Sequence, residues 1–492
     1  MRRALAWFGL LAFLPVAALA QAVPNIPEAN RSSLAPPVTT KDILAAEREA
    51  ANIFSVKSYG AKGDGAANDA PAFMAAFSAC YAAGGGTVRV PSTGHAYHLA
   101  TGLVLDGGAC GLVGDGVPSW PGPVGTEAQW TTVGSWVSCD DTVHPCLLFN
   151  SSGYVDGIDF WHPQPTPSAT PGTPWTPTGV APAGTDPSLF PWTIQFKQNF
   201  SRARNIQIAN AAYGIDYEYP WNANIAGTYS GLEHIWAGCF NVCLRFKSVN
   251  DTMYAFDVHV RDIWQIGNSN VVDYMETHLT GWDVEYLDNL QGFGLEFYKT
   301  WQAMYFADSS AVYGTGTITH AAENLQLTNV LFGVVVQAIQ LQSGTTAVSI
   351  EFANVIAQSE TDTNRAASYL FNLASDNADV TFNGLRVAAT GNAIMAVGGG
   401  TSGRVRINGL TVGSPLQAGT ASPISGYDYF ATGAAAFYLA HGSALSIPTG
   451  VQSVQAAAGA GPITSWVAKA AGAASNCGGV VATVAPNTPT TP

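Results

Sequence analysis

Four carboxylates and two cations recur at matching places in short apolar alternations, and they are the residues of this chain best suited to chemistry. The segments GIDYEY, CLRFKS, VVDYME, GLEFYK and AIQLQS alternate as strands do, and stacking them puts Asp216, Arg245, Asp273, Glu296 and Gln340 in one outward column. Glu218, Lys247, Met275, Tyr298 and Gln342 stand beside it. Only 11% of the chain is charged, so this concentration on neighbouring strands points beyond solvation to paired acids working on a glycosidic bond. The bland alternative is a cross-strand ion-pair ladder, each pair worth a few tenths to about 1 kcal/mol. Parallel strands lie about 4.8 Å apart, so Asp216 and Asp273 are expected to straddle Arg245 at about 9.6 Å. That spacing leaves room for the attacking water of an inverting glycosidase, with Glu296 or Glu218 as the protonated acid. Arg245 and Lys247 suit a uronate, because a fixed guanidinium binds a carboxylate bidentately.

A competing column holds Glu233, His259 and Asp283, flanked by Arg261 and Glu285. A histidine between two acids suits a general base, and equally an ordinary surface ladder. Eight tryptophans fall between residues 160 and 301. Trp282 is core by register, whereas Trp221, Trp264 and Trp301 sit in turns, where a flat ring can stack on a pyranose face.

The elements that must carry these residues repeat. Apolar alternations begin at Ile206, Leu232, Val258, Trp282, Leu325, Ile350, Leu385 and Leu410, mostly 24 to 26 residues apart, with one interval of 43 and one of 35. The stacked segments interleave with this series, so two walls of short parallel strands are expected. Register turns His234 inward, the one misfit. Residues 162–192 are too rich in Pro and Thr for a coil and read as a long loop over one wall.

Ahead of the repeats stands YGAKGDGAANDAPAFMAAFSACYAAGGGTVRVP. Gly60, Gly63 and Gly65 give freedom for consecutive turns, and Asn68 or Asp69 can cap a helix from Ala70 to about Tyr81. A phosphate-binding loop would need glycines directly before the helix and usually a lysine. The segment resembles the start of the pectate-lyase-like family of right-handed parallel β-helices. The resemblance covers residues 54–104 and implies an all-β coil entered through an N-terminal capping helix, with this motif turning the chain rather than doing chemistry. Arg245-Phe246-Lys247 also looks like the Arg-Ile-Lys element of polygalacturonase-like hydrolases. The Asn-Thr-Asp, paired-aspartate and Gly-His-Gly elements of that group are missing from the coil strands, and Asp140-Asp141 precedes the repeats.

Arg2, Arg3 and the apolar run from Ala4 to Ala17, closed by Ala18-Leu19-Ala20, read as a signal peptide at 1–20 and predict a secreted or periplasmic protein. Residues 21–53 then form an N-terminal extension, 54–413 the β-helix, and 414–492 an Ala/Gly-rich cap and disordered tail. A net charge of -14 gives nucleic acid and anionic membranes no attraction. Seven cysteines permit disulfides, with Cys139/Cys146 and Cys239/Cys243 nearest in sequence. The expectation is an exported enzyme degrading an acidic polysaccharide, without metal or cofactor. Its catalytic residues come from Asp216, Glu218, Asp273 and Glu296, and its substrate contacts from Arg245, Lys247, Tyr298, Trp221, Trp264 and Trp301. The alternatives are a uronate lyase or epimerase, with Lys247 or Tyr298 as base and Arg245 or Ca²⁺ stabilising charge, and a non-catalytic glycan binder. Homo-oligomers are left open.

Overall fold

The computed structural model describes residues 52–116, 131–163, 190–219, 230–249, 252–262, 269–307, 320–342, 347–360, 369–374, 377–389, 393–398 and 404–412, with five short strands beyond. Trp221, Trp264 and most of the Pro-rich segment lie outside them, as do residues 1–51. Among the described residues no helix is long and apolar enough to cross a membrane.

One run, Arg202–Glu218, shows how a coil is made. Its first part pairs with residues 231–233, its middle with 235–238, and its last with 242–247. Each coil thus contributes to three parallel walls, not two. Wall 1 continues through 253–256 and 290–293, wall 2 through 258–260 and 295–297, and wall 3 through 282–284, 304–306 and 339–341. Every pairing among these coils is parallel, giving a right-handed parallel β-helix, the hand nearly all parallel crossovers adopt. The ladder runs on through Tyr429–Ala431, Ala436–Leu439 and Gln455–Ala456 to Ile463–Val467, where Gly479–Val484 adds antiparallel.

Walls 1 and 2 meet at a bend where Asn205, His234, Asp257, Gly294, Asn329, Asn354 and Gly384 all have φ between 51° and 81°. L-residues avoid this left-handed conformation, and Asn, Asp, His and Gly tolerate it best. The misfit at His234 is resolved here: it is a bend residue, and its side chain faces out rather than in. Between bends, alternation sends apolar residues inward. Tyr217, Phe246, Trp282, Phe297 and Phe332 are fully buried, and neighbours in that series lie 5.2 to 6.1 Å apart by ring centroid. Each ring contributes roughly 1.5–3 kcal/mol by leaving water.

Helix α1, Ala70–Ala82, buries Phe73, Ala76, Phe77 and Cys80. Asp69 stands at its N-cap, yet its carboxylate makes no capping bond. It reaches back instead to accept the backbone N–H groups of Lys62 and Gly63, while Asn68 accepts from Ala70. Gly63 has φ 54°, and a Cβ there would lie 2.7 Å from the Thr93 hydroxyl. The glycine and aspartate cluster therefore turns the chain. Disulfides join Cys80 to Cys110, Cys139 to Cys146 and Cys239 to Cys243.

Two predicted strands are misplaced. VVDYME is not a strand: it lies in helix α2, Ser269–His278, where Met275 is fully buried instead of standing on the wall. The wall 3 strand of that coil is Thr280–Val284, so Asp283 follows Arg245 and Asp273 does not. GLEFYK belongs to wall 2, where Glu296 pairs in register with His259. The inserted helix lengthens one coil, and a reading that assumes equal coils then exchanges the later members of neighbouring walls. The first series mixes all three: Leu232 lies on wall 1, Ile206 and Val258 on wall 2, and Trp282 on wall 3, the first two walls being confused because a single bend residue separates them.

Candidate active site

On wall 3 the outward residues of successive coils are Gln195, Asp216, Arg245, Asp283, Tyr305 and Gln340, in register. Two residues further along each strand stand Lys197, Glu218, Lys247 and Glu285. The predicted column thus holds at Asp216, Arg245, Glu218, Lys247 and Gln340, with Asp283 and Tyr305 replacing Asp273 and Glu296.

Asp216 is completely buried. Arg245 donates through Nε and Nη2 to its two carboxylate oxygens, both at 2.8 Å, and the Gln195 amide donates at 2.6 Å. Burial pushes the Asp216 carboxyl up, and the guanidinium resists that rise. Arg245 also lies 4.8 Å from the Trp192 ring centroid. Asp216 is thereby a clamp for Arg245, closed off from any substrate.

Glu218 bonds Lys197 and lies 3.3 Å from Lys247. Burial works to raise its carboxyl, but these cations and Arg245 together hold it below the usual range. Glu285 has looser partners, Lys247 at 3.8 Å and Arg245 at 4.0 Å. Burial lifts its carboxyl, opposed by those two cations.

Asp283 differs from all three. Its Oδ1 is buried without a hydrogen-bond partner. Burial, reinforced by the charge on Glu285, pushes its carboxyl up to about 7. Asp283 lies on the strand Thr280–Val284 and Glu285 directly follows its end, two residues and a backbone rise of about 7 Å further on. With Asp283 protonated, the carboxylates of Asp216, Glu218 and Glu285 balance the cations of Lys197, Arg245 and Lys247. Neither Arg245 nor Lys247 is uncommitted, which removes the ground for expecting them to select a uronate.

The competing column is divided as well. Wall 2 carries Gln207, Trp236, His259 and Glu296, whereas Asp283 and Glu285 belong to wall 3 and Glu233 to wall 1. His259 is held at Nε2 by Asp257 at 2.7 Å and at Nδ1 by Glu296 at 2.5 Å. Both ring nitrogens are occupied, so the imidazole braces coils and is a poor base. Tyr298 is on this wall too, its ring 5.5 Å from the Arg261 guanidinium. Trp301 lies half-buried where wall 2 turns into wall 3. Asp141 accepts three backbone N–H bonds from Gly102, Val143 and His144 and serves a turn. A groove of about 450 Å³ follows the bend of walls 1 and 2 past Leu331, Ile356 and Arg386. It contains no acid, so no acid–base chemistry is built into it.

Sequence reasoning missed Asp283 as a wall 3 residue, and Lys197 and Gln195 altogether; Trp192 was counted among the tryptophans of turns and loops, whereas it opens the strand Trp192–Phe196. The alternation in WTIQFK was the available signal for placing Gln195, Lys197 and Trp192 on this wall.

No family model matches the chain. Over 67 residues, 14% of this chain, it is 49% identical to mannuronan C5-epimerase AlgE3 of Azotobacter vinelandii, and over 65 residues it is 49% identical to AlgE1 of the same organism. Each match spans only 4% of the relative. Among solved structures the chain is similar to the Agl-KA catalytic domain, with a TM-score of 0.52 and 15% identity over 84% of this chain and 68% of that one. The gp42 tailspike of Acinetobacter phage vb_AbaP_AS12 gives a TM-score of 0.48 and 10% identity over 88% and 67%. At such identities the likeness is one of fold. Three parallel walls turning about one apolar core, together with the Agl-KA likeness, show that the chain folds as a parallel β-helix.

Proposed function

We propose that this is an exported, polysaccharide-acting enzyme, a glycoside hydrolase whose site is the wall 3 cluster. The observation that carries the reading is Asp283, whose Oδ1 is buried without a hydrogen-bond partner and whose carboxyl burial and the charge of Glu285 push up to about 7. A carboxyl raised by burial is the form a general acid needs near neutral pH. Asp283 donates its proton to the glycosidic oxygen as the bond to the anomeric carbon breaks. Glu285 takes a proton from the water that attacks that carbon from the other face. Glu285 is the better base than Glu218, whose cations hold it low. Trp192 supports the Arg245 side of the cluster. Three disulfides favour an oxidising compartment, in keeping with the predicted signal peptide.

The mannuronan epimerase identity favours a second reading, proton abstraction from a uronate with Lys247 as base, with or without Ca²⁺. Product analysis separates them. New reducing ends without an ultraviolet-absorbing double bond support hydrolysis, whereas that double bond, or an epimerised uronate with no chain scission, supports the second reading. Binding without any product leaves a passive glycan binder.

A further inference from the structure

Beyond Asp283 the wall changes character. Its next coils carry Gln302, Tyr305, Gln337, Gln340, Gln342 and Asn372, and none of these bears a charge near neutrality. Burial, with the charge of Asp283 added, holds the Tyr305 phenol above its usual range. The amides fix one another. Gln302 donates to Gln337 at 3.1 Å, Gln337 to Gln340 at 3.0 Å, and Asn372 to the same Gln340 oxygen at 3.0 Å. Tyr305 donates to Gln342 at 3.2 Å. The register continues from Tyr305 to Gln340 to Asn372 and reaches the apolar Ala396 on the next coil.

We infer that this ladder of amides binds the uncharged sugar units of a glycan laid along the helix axis, one flank of the bond cleaved at Asp283. The inference rests on the hydrolase reading of wall 3. Amides offer donors and acceptors together, which suits sugar hydroxyls, each also a donor and an acceptor. Their mutual bonds fix orientation before binding, so little entropy is lost when a ligand arrives. Among the described residues, these wall 3 positions offer a uronate no cation. A glycan lying between the Asp283 and Glu285 columns passes over Tyr305, then between Gln340 and Gln342. The charged coils and the neutral coils thus divide the labour, catalysis on one side and recognition on the other.

The test uses the full chain carrying Asp283→Asn, labelled and applied to an array of neutral and uronate-bearing glycans, so that binding is read without turnover. The expected result is binding to glycans that share consecutive uncharged sugars, lowered about tenfold or more by Gln340→Ala with Asn372→Ala. Retained circular dichroism and melting temperature establish that the loss is local. Binding confined to uronate polymers, no binding at all, or binding indifferent to the two substitutions overturns the inference. Turnover in otherwise wild-type protein keeps the two readings apart. If Asp283→Asn abolishes hydrolysis while the Gln340/Asn372 variant leaves KM unchanged, the amide ladder is not a subsite and the hydrolase reading stands. If Asp283→Asn hydrolyses normally, the hydrolase reading fails first.

Discussion

Arg245 stands between Asp216 and Asp283 on adjoining coils, yet it gives both of its shortest hydrogen bonds to Asp216. Asp283 is left with the charge of Arg245 nearby and no bond from it, so burial and the charge of Glu285 outweigh that cation and raise its carboxyl. Asp216→Asn should free the guanidinium to turn toward Asp283 and stabilise its anion. The alkaline limb of the pH–rate profile then moves to lower pH, a shift that simple loss of stability does not produce. Breaking a buried pair of this kind costs about 3–5 kcal/mol, so the melting temperature should fall as well. An unmoved limb would show that Asp216 does not control Asp283.

The pH dependence of stability carries the same signature. Asp283 has a folded value of about 7 against an ordinary 3.8. The native state therefore holds a proton that the unfolded chain releases, and stability declines as pH rises between those values. Asp283→Asn should raise the melting temperature at pH 8 while leaving it nearly unchanged at pH 3.5. Equal effects at both pH values would contradict the burial of a neutral acid.

The parallel coil was legible in the sequence, its division into walls and the site only in part. Inward apolar residues repeat strictly because each coil must fill the same core, so Asp216 and Arg245 were correctly paired from spacing alone. Helix α2 broke the count. Asp273 lies in an alternation short enough to pass for a strand, and only tertiary packing of Met275 decides for a helix. Glu296 and Asp283 were then exchanged between walls. The third wall was hidden because the bend at Asn205 and its successors occupies a single residue, which periodicity in an apolar pattern does not register.

On wall 2, His259 supplies a prediction of opposite sign. Burial works against its charge, but Glu296 and Asp257 outweigh that and hold the imidazolium above the usual histidine range. A raised histidine stabilises fully below its unfolded value, about 6.5, and the contribution is lost as pH rises through the folded value. Glu296→Gln should therefore lower the melting temperature more at pH 5.5 than at pH 9. Turnover should stay near normal in that variant and in Asp273→Asn, since neither residue belongs to wall 3.

The turn before α1 separates stability from activity. Asp69 is 1% exposed and accepts two backbone N–H groups. Hydrogen bonds to a charged group are worth about 1.5–3 kcal/mol each, so Asp69→Ala should cost about 3 kcal/mol or more. Asp64 accepts from Ala66 and Ala67 at the surface, and its replacement should be milder. Activity per folded molecule should be unchanged in both, as measured by titrating folded protein against rate.

The most direct measurement is the release of reducing ends from a polysaccharide by Asp283→Asn beside wild type, with folding verified by circular dichroism. A general acid contributes about 10²- to 10⁴-fold. The account predicts a folded variant whose rate falls within that range, with the loss greatest for substrates with poor leaving groups. A folded Asp283→Asn that cleaves at the wild-type rate would contradict it and remove wall 3 as the site of chemistry.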